Sequence, residues 1–152
     1  MTQTTRGISL ELARDMALTE MRNHGITGWS FKFDNAKRRC GSTQYGKKTI
    51  TLSRPYVLMN SEKEVLETIL HEIAHVIAGP GAGHGPQWQK AARAVGASPV
   101  RCAGPEVNLP KPKWRLVCAN SHVIGHRHRR SKSMTDSYRC RCGGALKYIL
   151  NE

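Results

Sequence analysis

Four residues, His71, Glu72, His75 and His84, are close enough in sequence to hold one metal ion and to act on water beside it. His71 and His75 are four positions apart. On a helix of about 3.6 residues per turn, that spacing gives roughly 40° of angular offset and about 6 Å of rise, so both imidazoles can reach one ion from one face. Glu72 follows the first histidine and would lie beside the ion, placed to take a proton from water. This is the HExxH arrangement of zinc hydrolases: two helical ligands and a glutamate general base. His84, between Gly83 and Gly85, can return to the same ion after a chain reversal. Three protein ligands leave a fourth position for water, the mark of a catalytic site. Zinc there would lower the pKa of water to about 7 and polarise a carbonyl, and Glu72 would accept the water proton and deliver it to the leaving amine. The plain alternative is a polar helix followed by a loop rich in histidine. No residue for stabilising an oxyanion stands out, with Tyr45, Tyr56 and nearby basic residues all open.

The elements that must position these residues are legible around them. Ser61 and Glu64 form a capping box, so a helix starts at Ser61. Val65, Ile69, Ile73 and Ile77, with Leu66 and Leu70 beside them, make an apolar stripe that faces away from the histidines. Gly79-Pro80 ends that helix. Pro86 opens a shorter one in which Trp88, Ala91, Ala92 and Val95 share a face, and Gly96 ends it. Trp88 reads as packing beneath the third ligand. Upstream, Ser9 caps a helix ending at Gly25, with Leu12, Ala13, Met16 and Ala17 on its inner face. Trp29, Phe31 and Phe33 alternate with polar residues, and turn signals at Gly41 and Gly46 precede the β-branched run Thr49–Thr51. Residues 29–53 therefore read as a small antiparallel sheet. "CAGPEVNLPKPK" is proline-rich without periodicity and reads as a linker.

Bulk properties narrow the setting. With 39% hydrophobic residues, the 152-residue chain can build a core, while a mean hydropathy of -0.49 argues against membrane residence. No apolar run is long enough to span a bilayer. The N-terminus lacks the features of a secretory signal, so an intracellular protein of the cytoplasm or nucleoid, monomeric and with no membrane partner, is expected. Five cysteines do not suggest a closed disulfide framework. Lys and Arg number 24 against 11 Asp and Glu, giving +13. Ten basic and two acidic residues over 111–152 carry +8 of this, and the remaining fourteen and nine carry +5. Such an excess favours a polyanionic partner, for which nucleic acid is the commonest intracellular choice.

"NAKRRCGSTQYGKKTITLS", "ETILHEIAHVIAG", "GHGPQW" and "YRCRCGGAL" together resemble the SprT-like family, across nearly the whole chain. The resemblance implies an α+β fold: a small zincin-like metallopeptidase domain of helices and a short antiparallel sheet, followed by a zinc-ribbon-like β unit. It divides the chain into a peptidase domain over 1–105, a Pro-rich linker over 106–113 and a basic ribbon over 114–152. By position, it makes His71, His75 and His84 ligands of a catalytic Zn2+ and Glu72 the catalytic residue. Family members of the Spartan type cleave proteins crosslinked to DNA and are stimulated by DNA.

The chain departs from the family pattern in the ribbon, which usually has two cysteine pairs. Cys118 stands where a pair is expected, with Ser121 three residues on, and Cys140-Arg141-Cys142 is one residue shorter than a CxxC knuckle. A second, structural Zn2+ then needs Cys118, Cys140, Cys142 and a histidine. His122 is the first choice, because Cys118-x3-His122 closes a compact turn; His126 and His128 are the alternatives. A Cys3His set suits zinc. Otherwise the hairpin keeps free thiols. Cys40 and Cys102 have no partner in the pattern and read as ordinary structural residues.

Arg127, Arg129, Arg130, Lys132, Arg139 and Arg141 would cluster on the ribbon and neutralise phosphates of DNA, single-stranded or damaged. Trp114 and Tyr138 can either stack on bases or pack the hairpin. The favoured expectation is a zinc endopeptidase acting on DNA-bound or DNA-crosslinked proteins. The alternatives are a nucleic-acid-binding or regulatory protein whose zincin fold is weakly active or inactive, and a protease that cleaves a transcriptional regulator.

Overall fold

The computed structural model describes residues 7–100 and 108–151. The chain divides into two compact units, Met1–Pro110 and Lys111–Glu152. Cys102 and the expected boundary at 105 and 106 lie outside the described residues.

In the first unit, helix α1 (Leu10–Asn23) starts where the Ser9 hydroxyl accepts from the Leu12 amide. It buries Ala13, Ala17 and Met21, while Leu12, expected inside, is 39% exposed. Of the four residues expected on the inner face, Ala13 and Ala17 are buried and Met16 packs against the core, and the face extends to Met21 rather than to Leu12. Strands β1 (Ser30–Asp34), β2 (Gly41–Gln44) and β3 (Thr49–Ser53) form a sheet in the order β1-β3-β2. β2 runs antiparallel to β3, as a short turn between them requires, but β1 is parallel to β3. The sheet is therefore mixed rather than antiparallel. β3 takes the centre, where both neighbours hide it, and all five of its residues are buried.

Ser53 ends β3 and also caps α2 (Arg54–Met59), a helix not anticipated from sequence, by accepting from the Tyr56 amide. Helix α3 (Glu62–Ala78) begins as predicted, with Ser61 accepting from the Glu64 amide. Val65, Ile69 and Ile73 are fully buried, but Ile77 is 49% exposed. Steps of four advance about 40° each around a helix, so the stripe rotates off the core by its fourth member. Gly79, at φ 88°, ends α3, and α4 (Pro86–Val95) stops at Gly96, at φ 87°. Both angles are costly for residues with a Cβ. Asn60, buried, donates to the Asn108 carbonyl at 2.7 Å and accepts from its amide at 2.8 Å, and Leu109 packs on the core.

The second unit is a three-stranded antiparallel sheet in the order β5-β4-β6: β4 (Trp114–Cys118), β5 (Val123–Arg127) and β6 (Leu146–Leu150). A one-turn helix, α5 (Lys132–Ser137), precedes an Arg139–Ala145 bridge. Its core is Leu116, Cys118 and Leu146, with Met134, Cys140 and Tyr148 packed alongside. No described helix is long and apolar enough to cross a membrane.

Candidate metal centres

The capped helix α3 carries His71 and His75 on one side, and the turn after Gly79 returns His84 to them. His75 Nε2 lies 3.1 Å from His84 Nε2, which lies 3.2 Å from His71 Nε2. Zinc–nitrogen bonds of about 2.0–2.1 Å at tetrahedral angles would put ligand nitrogens about 3.3–3.4 Å apart. The three histidines therefore keep the spacing of a filled coordination shell. Burial, then the neighbouring His75 and His84, push the His71 pKa down to about 4, and burial and His84 push His75 down to about 4. Neutral imidazoles are what a metal binds. Trp88, fully buried, packs its ring 4.7 Å from the His71 ring and 4.7 Å from that of His84, and its indole N–H donates to the His71 carbonyl. It is the floor that holds all three rings.

Glu72 is only 6% exposed. Burial pushes its carboxyl up to about 7, while a hydrogen bond from Thr43 and the charge of Arg39 pull the other way. Thr43 was not anticipated. Its Oγ1 lies 2.5 Å from Glu72 Oε2 and 3.1 Å from the Glu72 carbonyl, so β2 grips the glutamate at two points. The one sequence signal for Thr43 is its place on the face of β2 shared with Gly41, opposite Ser42 and Gln44. Both tyrosines left open for oxyanion stabilisation are engaged elsewhere. Tyr45 donates to the His75 carbonyl at 2.8 Å, also lying 3.2 Å from that of Gly79, and so caps the end of α3. Tyr56 donates to the Glu64 carbonyl and pairs with Thr68.

The second cluster is Cys118, His122, Cys140 and Cys142, whose ligand atoms all lie within 4.8 Å of one another. The Cys118 and Cys142 sulfurs are 3.7 Å apart, and His122 Nδ1 is 3.5 Å from Cys118 Sγ and 3.6 Å from Cys140 Sγ. Zinc–sulfur bonds of about 2.3 Å imply about 3.8 Å between sulfurs and about 3.6 Å between sulfur and nitrogen. The turn that brings His122 back has Ser121 at φ 66° and ties the His122 amide to Cys118 Sγ. His126 contacts Asn151 instead, and neither it nor His128 belongs to the cluster. Asn120, also unanticipated, donates to Cys142 Sγ. That bond, the Gly144 amide, Cys140 and His122 lower the Cys142 thiol to about 6.

Of the basic residues, Arg129, Arg130, Lys132, Arg139 and Arg141 are exposed, whereas Arg127 is half-buried and donates to the His126 carbonyl. Arg130 stacks 4.6 Å over the half-buried Trp114 ring. Tyr138 is 58% exposed, so it does not pack the hairpin. Cys40 is half-buried against the first core, as expected of a structural residue.

No curated protein matches this sequence. Among solved structures, the chain is similar to the metallopeptidase zymogen jannalysin of Methanocaldococcus jannaschii. The two are 21% identical over 54% of this chain and 79% of that one, with a TM-score of 0.47. The model of the SprT-like family matches residues 11–109, the stretch that holds the three histidines, Glu72 and Thr43. This chain belongs to the SprT-like family.

Proposed function

We propose that the protein is a zinc-dependent endopeptidase whose substrates are proteins bound or crosslinked to DNA. The observation that carries the hydrolytic reading is the convergence of three imidazoles beside a buried carboxyl. His71, His75 and His84 would hold the ion, which when bound supplies Lewis acidity at that point. Thr43 engages Glu72 Oε2, leaving Oε1 to take the proton of an attacking water. Water oxygen adds to the peptide carbonyl carbon. As the C–N bond breaks, Glu72 returns the proton to the departing amine. The pKa of Glu72, raised by burial into the neutral range, suits both halves of that exchange.

In the second unit, Cys118, His122, Cys140 and Cys142 would hold a structural zinc. The net +8 over residues 111–152 supports DNA as the polymer that brings substrates close. The test of the hydrolytic reading is Glu72→Gln. We expect the variant to keep its zinc, measured per chain, and to lose cleavage of a DNA-binding protein, or of itself, by at least about 10²-fold with single-stranded DNA present. Undiminished cleavage would sink the reading. Deleting residues 111–152 should weaken DNA binding and flatten its salt dependence; unchanged affinity would refute DNA docking by this unit.

A further inference from the structure

The sheet of the second unit has one face turned to its small core and another that is basic. Side chains alternate along β4, so Leu116 and Cys118 face the core while Arg115 points to the other side. The register places His126 and Ile149 on either side of Arg115. Lys111, Pro112, Lys113, Arg115, His126 and Asn151 line a cleft of about 690 Å³ there. Three of these six carry fixed positive charge, and no carboxylate is among the described lining residues.

The cleft is built rather than incidental. The Asn151 amide N–H donates to the Lys113 carbonyl at 2.9 Å, and its side-chain Nδ2 donates to the Pro112 carbonyl at 2.8 Å. Those bonds fasten the segment entering β4 to the end of β6. The Pro112 carbonyl can only accept, so it is the amide nitrogen of Asn151 that faces inward. The same Nδ2 lies 3.2 Å from His126 Nδ1. Its second hydrogen therefore meets the ring lone pair, and the imidazole proton of neutral His126 sits on Nε2, as a donor. Arg115 Nε is buried with no hydrogen-bond partner, the only such side-chain nitrogen or oxygen among the described residues. Among the described residues no carboxylate forms an ion pair with this guanidinium.

We propose that this cleft is a phosphate subsite that takes one backbone phosphodiester of a nucleic-acid strand. Phosphate oxygens accept from Arg115 and from His126 Nε2, while Lys111 and Lys113 neutralise the charge. The subsite lies apart from the arginines of the cysteine hairpin. A strand is favoured over a free phosphate by the setting. Lys111, Lys113 and His126 are exposed, so the cleft is open for a polymer to enter and leave. The Lys113 ammonium also lies 5.6 Å over the Trp114 ring, which the Arg130 guanidinium covers at 4.6 Å, so a second cationic group stands within reach of a strand that leaves the cleft past Lys113. The choice of polymer rests on the DNA reading above.

The test is fluorescence anisotropy of the zinc-loaded full chain with a single-stranded oligonucleotide across a salt series. Inorganic phosphate is titrated separately while the His126 ring is followed by NMR. Arg115→Gln should weaken binding about tenfold. The exposed pair Lys111→Gln with Lys113→Gln, which leaves the fold intact, should lower the salt slope by about 1.4, at about 0.7 per phosphate charge. Arg139→Gln with Arg141→Gln should add to these losses independently. If wild type binds the oligonucleotide and the cleft variants match it in affinity and slope, the subsite is refuted and the DNA reading stands. If wild type does not bind the oligonucleotide but phosphate shifts His126, the polymer is wrong, and the proposal falls together with the DNA reading.

Discussion

The three histidines of the first unit and the Cys3His cluster of the second keep ligand spacings of the same kind, between 3.1 and 3.7 Å, but very different amounts of protein hold them. The histidines stand on a 17-residue capped helix and a glycine turn, over a buried Trp88 that belongs to an extensive core. The cysteines stand on a hairpin and a tight loop whose core cluster has three buried members, one of which, Cys118, is itself a candidate ligand. The first arrangement is a scaffold that presents a metal site. In the second, a candidate ligand is itself part of the core, and a unit of about 40 residues has little apolar surface with which to fold on its own. We therefore propose that the first site is preorganised and that the second unit folds only with its metal, a difference that can be broken experimentally.

The largest effect is expected in the second unit. Chelation of zinc, or Cys118→Ser, should remove hydrogen-exchange protection from β4, β5 and β6 altogether, while α3 and α4 keep theirs. Persistent protection of the ribbon strands without zinc would erase the contrast. His84→Ala is the mirror experiment. It should cost the chain one zinc and all cleavage, yet leave α3 and α4 protected, since Trp88, Ala91 and Ala92 anchor α4 independently of the ion. Melting of α4 in that variant would make the first unit metal-dependent as well.

A smaller effect tests how the scaffold presents the base. Thr43→Val keeps the shape of the side chain and removes the hydroxyl that engages Glu72 Oε2. We expect kcat to fall about 10- to 100-fold, the usual cost of losing a group that orients an active-site residue, with KM and zinc content unchanged. A proportional loss of zinc would mean that Thr43 supports the fold of the site rather than the aim of its base.

What was legible in the sequence follows the same divide between local and non-local causes. The start of α3, its end at Gly79 and the return of His84 are written in adjacent residues, through a capping box, a glycine and two histidines on one face. The direction of β1 was not legible, because parallel pairing with β3 depends on a crossing of the chain and leaves no turn signal. Helix α2 was hidden because Ser53 serves as both strand end and helix cap, and because its six residues are too few to display a period. Thr43 could not be recognised because its partner lies 29 positions away. In the ribbon, His122 was legible as the fourth member of the cluster because three residues separate it from Cys118, whereas the role of Asn120 has no sequence signal. For Tyr138 the sequence left stacking on bases and packing of the hairpin both open, because its aromatic character suits either, and only its 58% exposure goes against packing.

The smallest expected effect separates the cysteines themselves. Cys40 is half-buried against the first core, and burial, with the nearby charges of Glu72 and Glu64, pushes its thiol from 9.0 up to about 11. It should therefore stay protonated and unreactive to iodoacetamide at neutral pH, with zinc or without it. Cys118, Cys140 and Cys142 should be protected by zinc and become alkylated on chelation, as peptide mapping would resolve. The same shift gives a pH dependence with a definite sign. The unfolded chain releases the Cys40 proton near pH 9 while the folded chain retains it to about 11, so stability is intact below that window and declines as pH rises through it. Cys40→Ala should flatten that decline in denaturant titrations between pH 8 and 11, by a fraction of the roughly 1.4 kcal/mol that each pKa unit represents at full effect. If chelation instead exposed Cys40 together with the ribbon cysteines, the first unit would not be the metal-independent scaffold that its core implies.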